Sequence, residues 1–283
     1  MSGPIPVLRT LPEMRARARS WREAGATFGL VPTMGALHAG HLELVRQVKA
    51  RCRHVVVSIF VNPAQFAPHE DFDRYPRDEA GDLAKLASVG CDAVWSPDRA
   101  VMYPEGFATR IIPAGAAEGL ETEFRPHFFG GVATVCCKLF TQVGPDIAAF
   151  GEKDFQQLAV VRQMVRDLDL PLEIVGVPTV REPDGLAMSS RNAYLSNTQR
   201  AQAVAMYQAI TGLAQKVRDG GPREAAEAAA AAELLAAGFE KIDYVAVRDA
   251  VTLKPPAEGQ RQGLRVLVAA WLGKTRLIDN IPV

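Results

Sequence analysis

The chain has 283 residues, 48% hydrophobic and 23% charged, the make-up of a folded globular protein, which excludes a disordered tail. Lys plus Arg and Asp plus Glu each total 32, so a formal charge of zero leaves no overall field for a nucleic-acid backbone or an anionic lipid surface. The most apolar run, residues 55–61, is far short of the roughly 20 residues that cross a bilayer, and the amino terminus lacks the apolar core of a secretory signal. The expectation is a cytoplasmic protein without nucleic-acid or membrane partners.

In chain order, Thr10-x-x-Glu13 is a capping box that opens a helix, and Gly25 stands where such a helix stops. A strand over 27–31 runs into Pro32-Thr33-Met34-Gly35 and a helix over 41–51, a strand-turn-helix unit. Residues 54–60 carry the run VVVSIF, apolar but for one serine, as suits a parallel strand covered on both faces, and lead into the loop Asn62-Pro63-Ala64-Gln65-Phe66. A helix over 77–89 ending at Gly90, a strand over 92–95, a helix over 131–143 and a strand over 146–150 continue the alternation. Gly151-Glu152-Lys153-Asp154 links that strand to a helix over 155–167, and 173–178 supplies a further strand. This pattern predicts a doubly wound α/β domain with a parallel sheet, whose sites lie at the carboxyl ends of the strands.

After Thr179 the texture changes. The loop 181–192 carries Pro183-Asp184-Gly185 and two serines, Ser196-x-x-Gln199 caps a new helix, and an alanine-rich helix spans 222–237. Strand-like segments at 242–247 and 265–271 complete a smaller α+β domain. The boundary is placed near 178, giving domains over 1–178 and 179–283. Cys52, Cys91, Cys136 and Cys137 have neither metal-ligand nor secreted-scaffold spacing and are expected to be reduced, buried thiols.

Met34-Gly35-Ala36-Leu37-His38-Ala39-Gly40-His41 sits where a strand hands over to a helix. Such a turn offers unpaired backbone N–H groups and the positive helix end to an anion, and two imidazoles three residues apart can share that task. The same residues would also serve as surface histidines or a metal pair; the position at the first strand-helix turn favours the anion. Gly151-Glu152-Lys153-Asp154 repeats the arrangement with a lysine as point charge, with Gln157 one turn further on the same face. Asn62 and Gln65 offer neutral amides at another strand end, and Met188-Ser189-Ser190-Arg191-Asn192 combines hydroxyls with a forked cation suited to a polyphosphate. Each of these three sets also reads as ordinary turn or surface chemistry.

Taken together, VPTMGALHAGH, SIFVNPAQF, RYPRD, FGEKDFQQL, VREPDGLAMSSRN and VAAWLGKTRLIDNI resemble, in order, the motifs of the pantoate–β-alanine ligases, the pantothenate synthetases. The resemblance covers nearly the whole chain. The HxGH element alone is shared more widely, with nucleotidylyl transferases and class I aminoacyl-tRNA synthetases, and a nucleotidylyltransferase releasing a stable adenylated cofactor is the alternative.

The resemblance implies a homodimer with a Rossmann-like domain that binds ATP and pantoate, a smaller carboxyl-terminal lid, and Mg²⁺. It implies condensation of pantoate with β-alanine to pantothenate, AMP and pyrophosphate through a pantoyl adenylate. By the same resemblance, Met34, Gly35, Ala36, Leu37, His38, Ala39, Gly40 and His41 form the first ATP segment, with His41 of the proton-donor type and His38 its partner on the phosphates. Gly151, Glu152, Lys153, Asp154, the backbone of Val180, and Met188, Ser189, Ser190 and Arg191 complete the ATP site. Gln65 and Gln157 grip pantoate, Asn62 helps on that side, and Asp82, placed after YPR, is the magnesium candidate. The serine-rich loop lacks the lysines of the synthetase KMSKS signature, which leaves the cationic role to Lys153 and Arg191. One departure stands out: Phe128 occupies the place of the family's usual histidine, and His127 lies one residue early.

Overall fold

A computed structural model describes residues 4–67, 70 and 72–283; residues 1–3 of the stretch read for a signal lie outside them. By contact the chain forms two compact units, one running to Gly151 and including Gln157–Pro178, the other made of Glu152–Gln156 and Thr179–Val283.

In the first unit the elements are β1 (Val7–Leu8), α1 (Leu11–Glu23), β2 (Phe28–Thr33), α2 (Ala39–Lys49), β3 (His54–Ile59), α3 (Glu79–Ser88), β4 (Ala93–Trp95), α4 (Arg99–Met102), α5 (Glu121–Phe124), α6 (Phe128–Val143), β5 (Ile147–Gly151), α7 (Phe155–Asp167) and β6 (Glu173–Val177). The strands form a parallel sheet in the order β1-β4-β3-β2-β5-β6. Along β3 the side chains alternate: Val56 joins the core that contains Phe28, Trp95, Phe140 and Leu158, while Val55 and Val57 join Val31, Val45 and Leu86 on the opposite face. Burial on both faces is why this strand has no polar alternation. The order reverses between β2 and β5, and such a switch point opens a ligand crevice at the carboxyl ends of the strands.

The expected capping box is present, with Thr10 and Glu13 bonding each other's backbone. Three elements, β1, α4 and α5, escaped the sequence reading here for want of length. β1 has two residues and pairs at the sheet edge with β4, and α4 is a single turn. Helix α6 begins three residues earlier than expected, running straight through Gly130 and Gly131. A side chain at Gly131 would collide with the Ala64 carbonyl, so glycine is what lets the helix approach the Asn62 loop.

The second unit comprises α8 (Asn197–Ala203), α9 (Ala205–Arg218), α10 (Arg223–Ala236) and the antiparallel sheet β7 (Lys241–Asp249), β8 (Leu264–Leu272) and β9 (Thr275–Pro282). Ser196 and Gln199 form the second expected capping box, but the single helix expected there is two, α8 and α9. Met206, Ile210 and Leu213 of α9 and Leu234 of α10 pack with Leu264, Val266 and Val268 of β8 in one apolar core. Strand β9 was not expected, because its buried Asp279 and Asn280 interrupt the apolar pattern.

Candidate active site

At the end of β2 the chain makes a tight turn. Thr33 donates its hydroxyl to the Ser58 carbonyl at 2.7 Å and accepts the Gly35 N–H at 3.2 Å. Gly35 and Ala36 then take consecutive left-handed conformations, at φ 83 and 50. Only glycine does this without strain, so the turn needs an external hold at Ala36. Asp82, 1% exposed on α3, provides it: its two carboxylate oxygens accept the N–H groups of Ala36 and Leu37, each at 2.8 Å. Lys85, one turn further along α3, donates to the Leu37 carbonyl at 2.8 Å and lies 3.6 Å from Asp82.

Asp82 is thereby engaged in holding the turn, each oxygen accepting one backbone N–H with a lysine alongside and keeping a further lone pair. Among the described residues no group of three or more His, Cys, Asp or Glu side chains is arranged to hold a metal.

Helix α2 starts in an uncommon way. His38 is its N-cap, and its Nδ1 accepts the Gly40 N–H at 3.2 Å; His41, at the third helical position, reciprocates by accepting the His38 N–H on its own Nδ1 at 3.3 Å. This is a capping box in which imidazoles replace the usual serine and glutamate. A ring nitrogen that accepts a backbone N–H carries no proton, so Nε2 is the N–H donor of each ring. The rings lie with centroids 4.1 Å apart. The expectation of unpaired backbone donors in this turn is therefore corrected: the N–H groups of Gly35, Ala36, Leu37, His38 and Gly40 are engaged within the protein.

Asn62 and Gln65, 1% and 9% exposed, flank a single 3₁₀ turn after β3. Asn62 Nδ2 donates to the Gly131 carbonyl and to Gln65 Oε1, both at 3.1 Å, and Gln65 Nε2 reaches Met34 Sδ at 3.1 Å. Thus the structure brings Met34, Asn62 and Gln65 together. Arg125 braces the same turn from outside, donating to the Gln65 carbonyl at 3.2 Å and to both Glu70 oxygens at 2.7 Å. Burial alone would raise the Glu70 carboxyl; the hydrogen bonds and charge of Arg125 bring it below its ordinary value. Phe128 lies under the Arg125 guanidinium, 3.8 Å from ring centroid to Cζ, so it has a packing role here. Gln157 is half-buried on α7, two residues along.

In the second unit, Glu152 and Lys153 are pinned through their backbone. Asn280 of β9 donates to both carbonyls, at 2.9 and 2.8 Å, and Arg265 of β8 bonds the Glu152 carboxylate at 3.0 Å. The Lys153 side chain is 19% exposed, with Nζ 3.8 Å from Asp154. The loop after Thr179 is a built hairpin rather than a slack linker. Arg181 bridges to Ala187, Met188 donates to the Val180 carbonyl at 3.0 Å, and Arg181 clasps Asp279 through two bonds of 2.6 and 2.9 Å. That hairpin places Val180 beside Met188, and Ser189 caps the 3₁₀ turn that carries Ser190 and Arg191.

The family model of the Pantoate-beta-alanine ligases matches residues 6–282. The chain belongs to the pantoate–β-alanine ligase family. It is 56% identical over 286 residues to the pantothenate synthetase of Caulobacter vibrioides, with all of both chains covered. Among solved structures, the pantothenate synthetase of Thermus thermophilus superposes with a TM-score of 0.92 at 44% identity, covering 98% of this chain and 99% of that one. The pantoate-β-alanine ligase of Francisella tularensis, complexed with beta-gamma ATP and β-alanine, gives a TM-score of 0.83 at 32% identity, covering 98% and 97%. As a family member the chain is a C–N ligase of the pantothenate synthetase kind, and its doubly wound sheet with a small antiparallel sheet is the fold of those structures.

Proposed function

We propose that this chain condenses pantoate with β-alanine in two steps, using ATP. In the first, a pantoate carboxylate oxygen bonds to the α-phosphorus of ATP and the bond to the β-phosphate bridge breaks, releasing pyrophosphate and leaving pantoyl adenylate. In the second, the β-alanine amine bonds to the adenylate's carbonyl carbon, loses a proton, and expels AMP to give pantothenate. No enzyme nucleophile is needed, so the protein's work is positioning and charge stabilisation.

The observation that carries the reading is the imidazole capping box at the switch point of the sheet, which orients two Nε2–H donors from His38 and His41. Preorganised donors aimed at developing phosphate charge are what adenylation requires. By likeness to the family, Met34 to His41, Gly151 to Asp154, Val180 and Met188 to Arg191 are assigned to ATP, with Lys153 and Arg191 as its cationic partners. Gln65, Gln157 and Asn62 are assigned to pantoate. Residues 1–178 are assigned ATP and pantoate binding, and 179–283 the part of a lid. Mg²⁺ is assigned to the ATP triphosphate as its counter-ion, with Asp82 as the candidate ligand from the protein.

A homodimer in the cytoplasm completes the reading, by likeness to the family. No helix among the described residues is long and apolar enough to cross a membrane. The deciding experiment supplies ATP, Mg²⁺, pantoate and β-alanine and separates the nucleotide products: AMP and pyrophosphate are expected. ADP and free phosphate would instead mean an acyl-phosphate ligase.

A further inference from the structure

We propose that Tyr103 is a positioning residue of the pantoate pocket: through Asn62 it fixes the Gln65 side-chain amide so that the nitrogen end, and not the oxygen, is offered to substrate. The proposal rests on the reading of Gln65 as a pantoate contact. The two ends of a carboxamide have nearly the same shape and opposite chemistry, so its orientation is decided by its partners. Here the partners form a chain with a fixed direction.

It starts from groups with a single role. The Ala64 backbone N–H can only donate, and it points at one end of the Asn62 amide at 3.2 Å; that end is the oxygen. The Gly131 carbonyl can only accept, and it meets the other end at 3.1 Å; that end is the nitrogen. The Tyr103 hydroxyl lies 2.7 Å from the Asn62 oxygen, the shortest contact in the set, and against an oxygen a phenol must donate. Asn62 Nδ2 is thereby aimed at Gln65, 3.1 Å away, and a donor can be met there only by Oε1. The Gln65 oxygen is consumed on the inside. Its Nε2 faces Met34 Sδ at 3.1 Å, a thioether that accepts only weakly and that a substrate oxygen outcompetes as a partner.

Reversal of Gln65 would set its amide nitrogen against the Asn62 nitrogen, two donors in a buried site, and would aim a carbonyl at the carboxylate of pantoate, two acceptors. Both changes are unfavourable. Tyr103 is well held for the role, following α4 with its ring 5.1 Å from Phe107 and 6.1 Å from Phe60. Burial pushes its phenol up to about 12, so the donor stays protonated through the working pH range. Its donation to the Asn62 oxygen also polarises the amide and strengthens the bond that Asn62 makes onward to Gln65.

The test is a double-mutant cycle on the full chain with Tyr103→Phe, which keeps the packed ring, and Gln65→Ala. Tyr103→Phe should raise the pantoate KM about tenfold, the worth of one hydrogen bond, with the β-alanine KM changed by less than about twofold. In the Gln65→Ala background the same substitution should have almost no further effect. An unchanged pantoate KM in Tyr103→Phe, or an equal rise in both backgrounds, would overturn the proposal. Asn62→Asp gives an independent check, because a carboxylate still accepts from Tyr103 and Ala64 but cannot donate to Gln65. The glutamine should turn over and pantoate binding should weaken at least as much as in Tyr103→Phe; a smaller loss counts against the relay.

A readout without turnover separates the relay from the substrate assignment. In the free protein, Tyr103→Phe should shift the side-chain amide NMR signals of Gln65, identified by their disappearance in Gln65→Ala. Unmoved signals sink the relay whatever the kinetics, whereas moved signals with a normal pantoate KM in Gln65→Ala overturn the assignment of Gln65 to pantoate.

Discussion

At the residue scale, the two histidines join a folding role to the catalytic one proposed for them. Each Nδ1 caps the helix and each Nε2 is the proposed donor to phosphate, so removing either ring takes away a cap and that donor together. Loss of one donor that stabilises transition-state charge costs about 10² to 10³ in rate. His41→Ala should therefore slow pantoate-dependent exchange of pyrophosphate into ATP by about that factor. It should retain far more of its ability to convert supplied pantoyl adenylate and β-alanine to pantothenate in single turnover. Equal loss in both half-reactions would remove His41 from the phosphates. Asp82 shows the folding side of the same turn, since it holds two of its backbone N–H groups. Asp82→Asn would set an amide N–H₂ against one of the two backbone donors, and leaving a buried donor unsatisfied costs about 1–3 kcal/mol. A lower urea midpoint is expected, and an unchanged midpoint would contradict the double backbone contact.

At the element scale, α6 matters because it lies against the Asn62 turn closely enough that its second glycine has no room for a side chain. Gly131→Ala must push the helix or the turn aside and should destabilise by about 1–3 kcal/mol, read by urea denaturation. Gly130→Ala, whose added carbon meets only the Ile111 carbonyl at an ordinary 3.5 Å, should be much milder. The Arg125–Glu70 clasp beside the same helix brings a pH dependence with a definite sign. Glu70 titrates below its ordinary 4.5 in the folded protein, so its contribution to stability is full above that value and is lost as pH falls through the folded value. The Glu70→Gln protein should start less stable at neutral pH and lose less than the parent as pH drops below about 4.5. Parallel curves for the two proteins would show that the clasp adds nothing to acid stability.

At the scale of the whole molecule, the four cysteines are free thiols; Cys52, Cys91 and Cys136 are buried and Cys137 half-buried. Burial pushes Cys91 and Cys136 up to about 12 and raises the other two as well. At neutral pH a thiol near 12 is thiolate to only about one part in 10⁵. Native protein should react slowly with a thiol-specific disulfide reagent, and all four thiols should titrate promptly once denaturant is added. Rapid modification of a buried thiol in native protein would mean that one of the apolar cores opens readily.

The sequence by itself determined the features whose signals are local or repeat along the chain. The capping boxes at Thr10 and Ser196 each need only four residues, the apolar run of β3 reports burial on both faces wherever it lies, and the motif order marks the family. What it left open is which distant group each polar side chain meets. A carboxylate after YPR reads equally as metal ligand or backbone acceptor, and only folding brings Asp82 to Ala36 and Leu37, 46 and 45 residues away. Buried Asp279 and Asn280 hid β9, because polar residues become compatible with a core only when partners such as Arg181 and the Glu152 and Lys153 carbonyls reach them from far along the chain. Phe128 and Tyr103 follow the same rule, one packed beneath Arg125 and the other bonded to Asn62. Short-range propensity selects the elements; the topology of the parallel sheet, which joins residues far apart in sequence, selects the partners and with them the chemistry of the site.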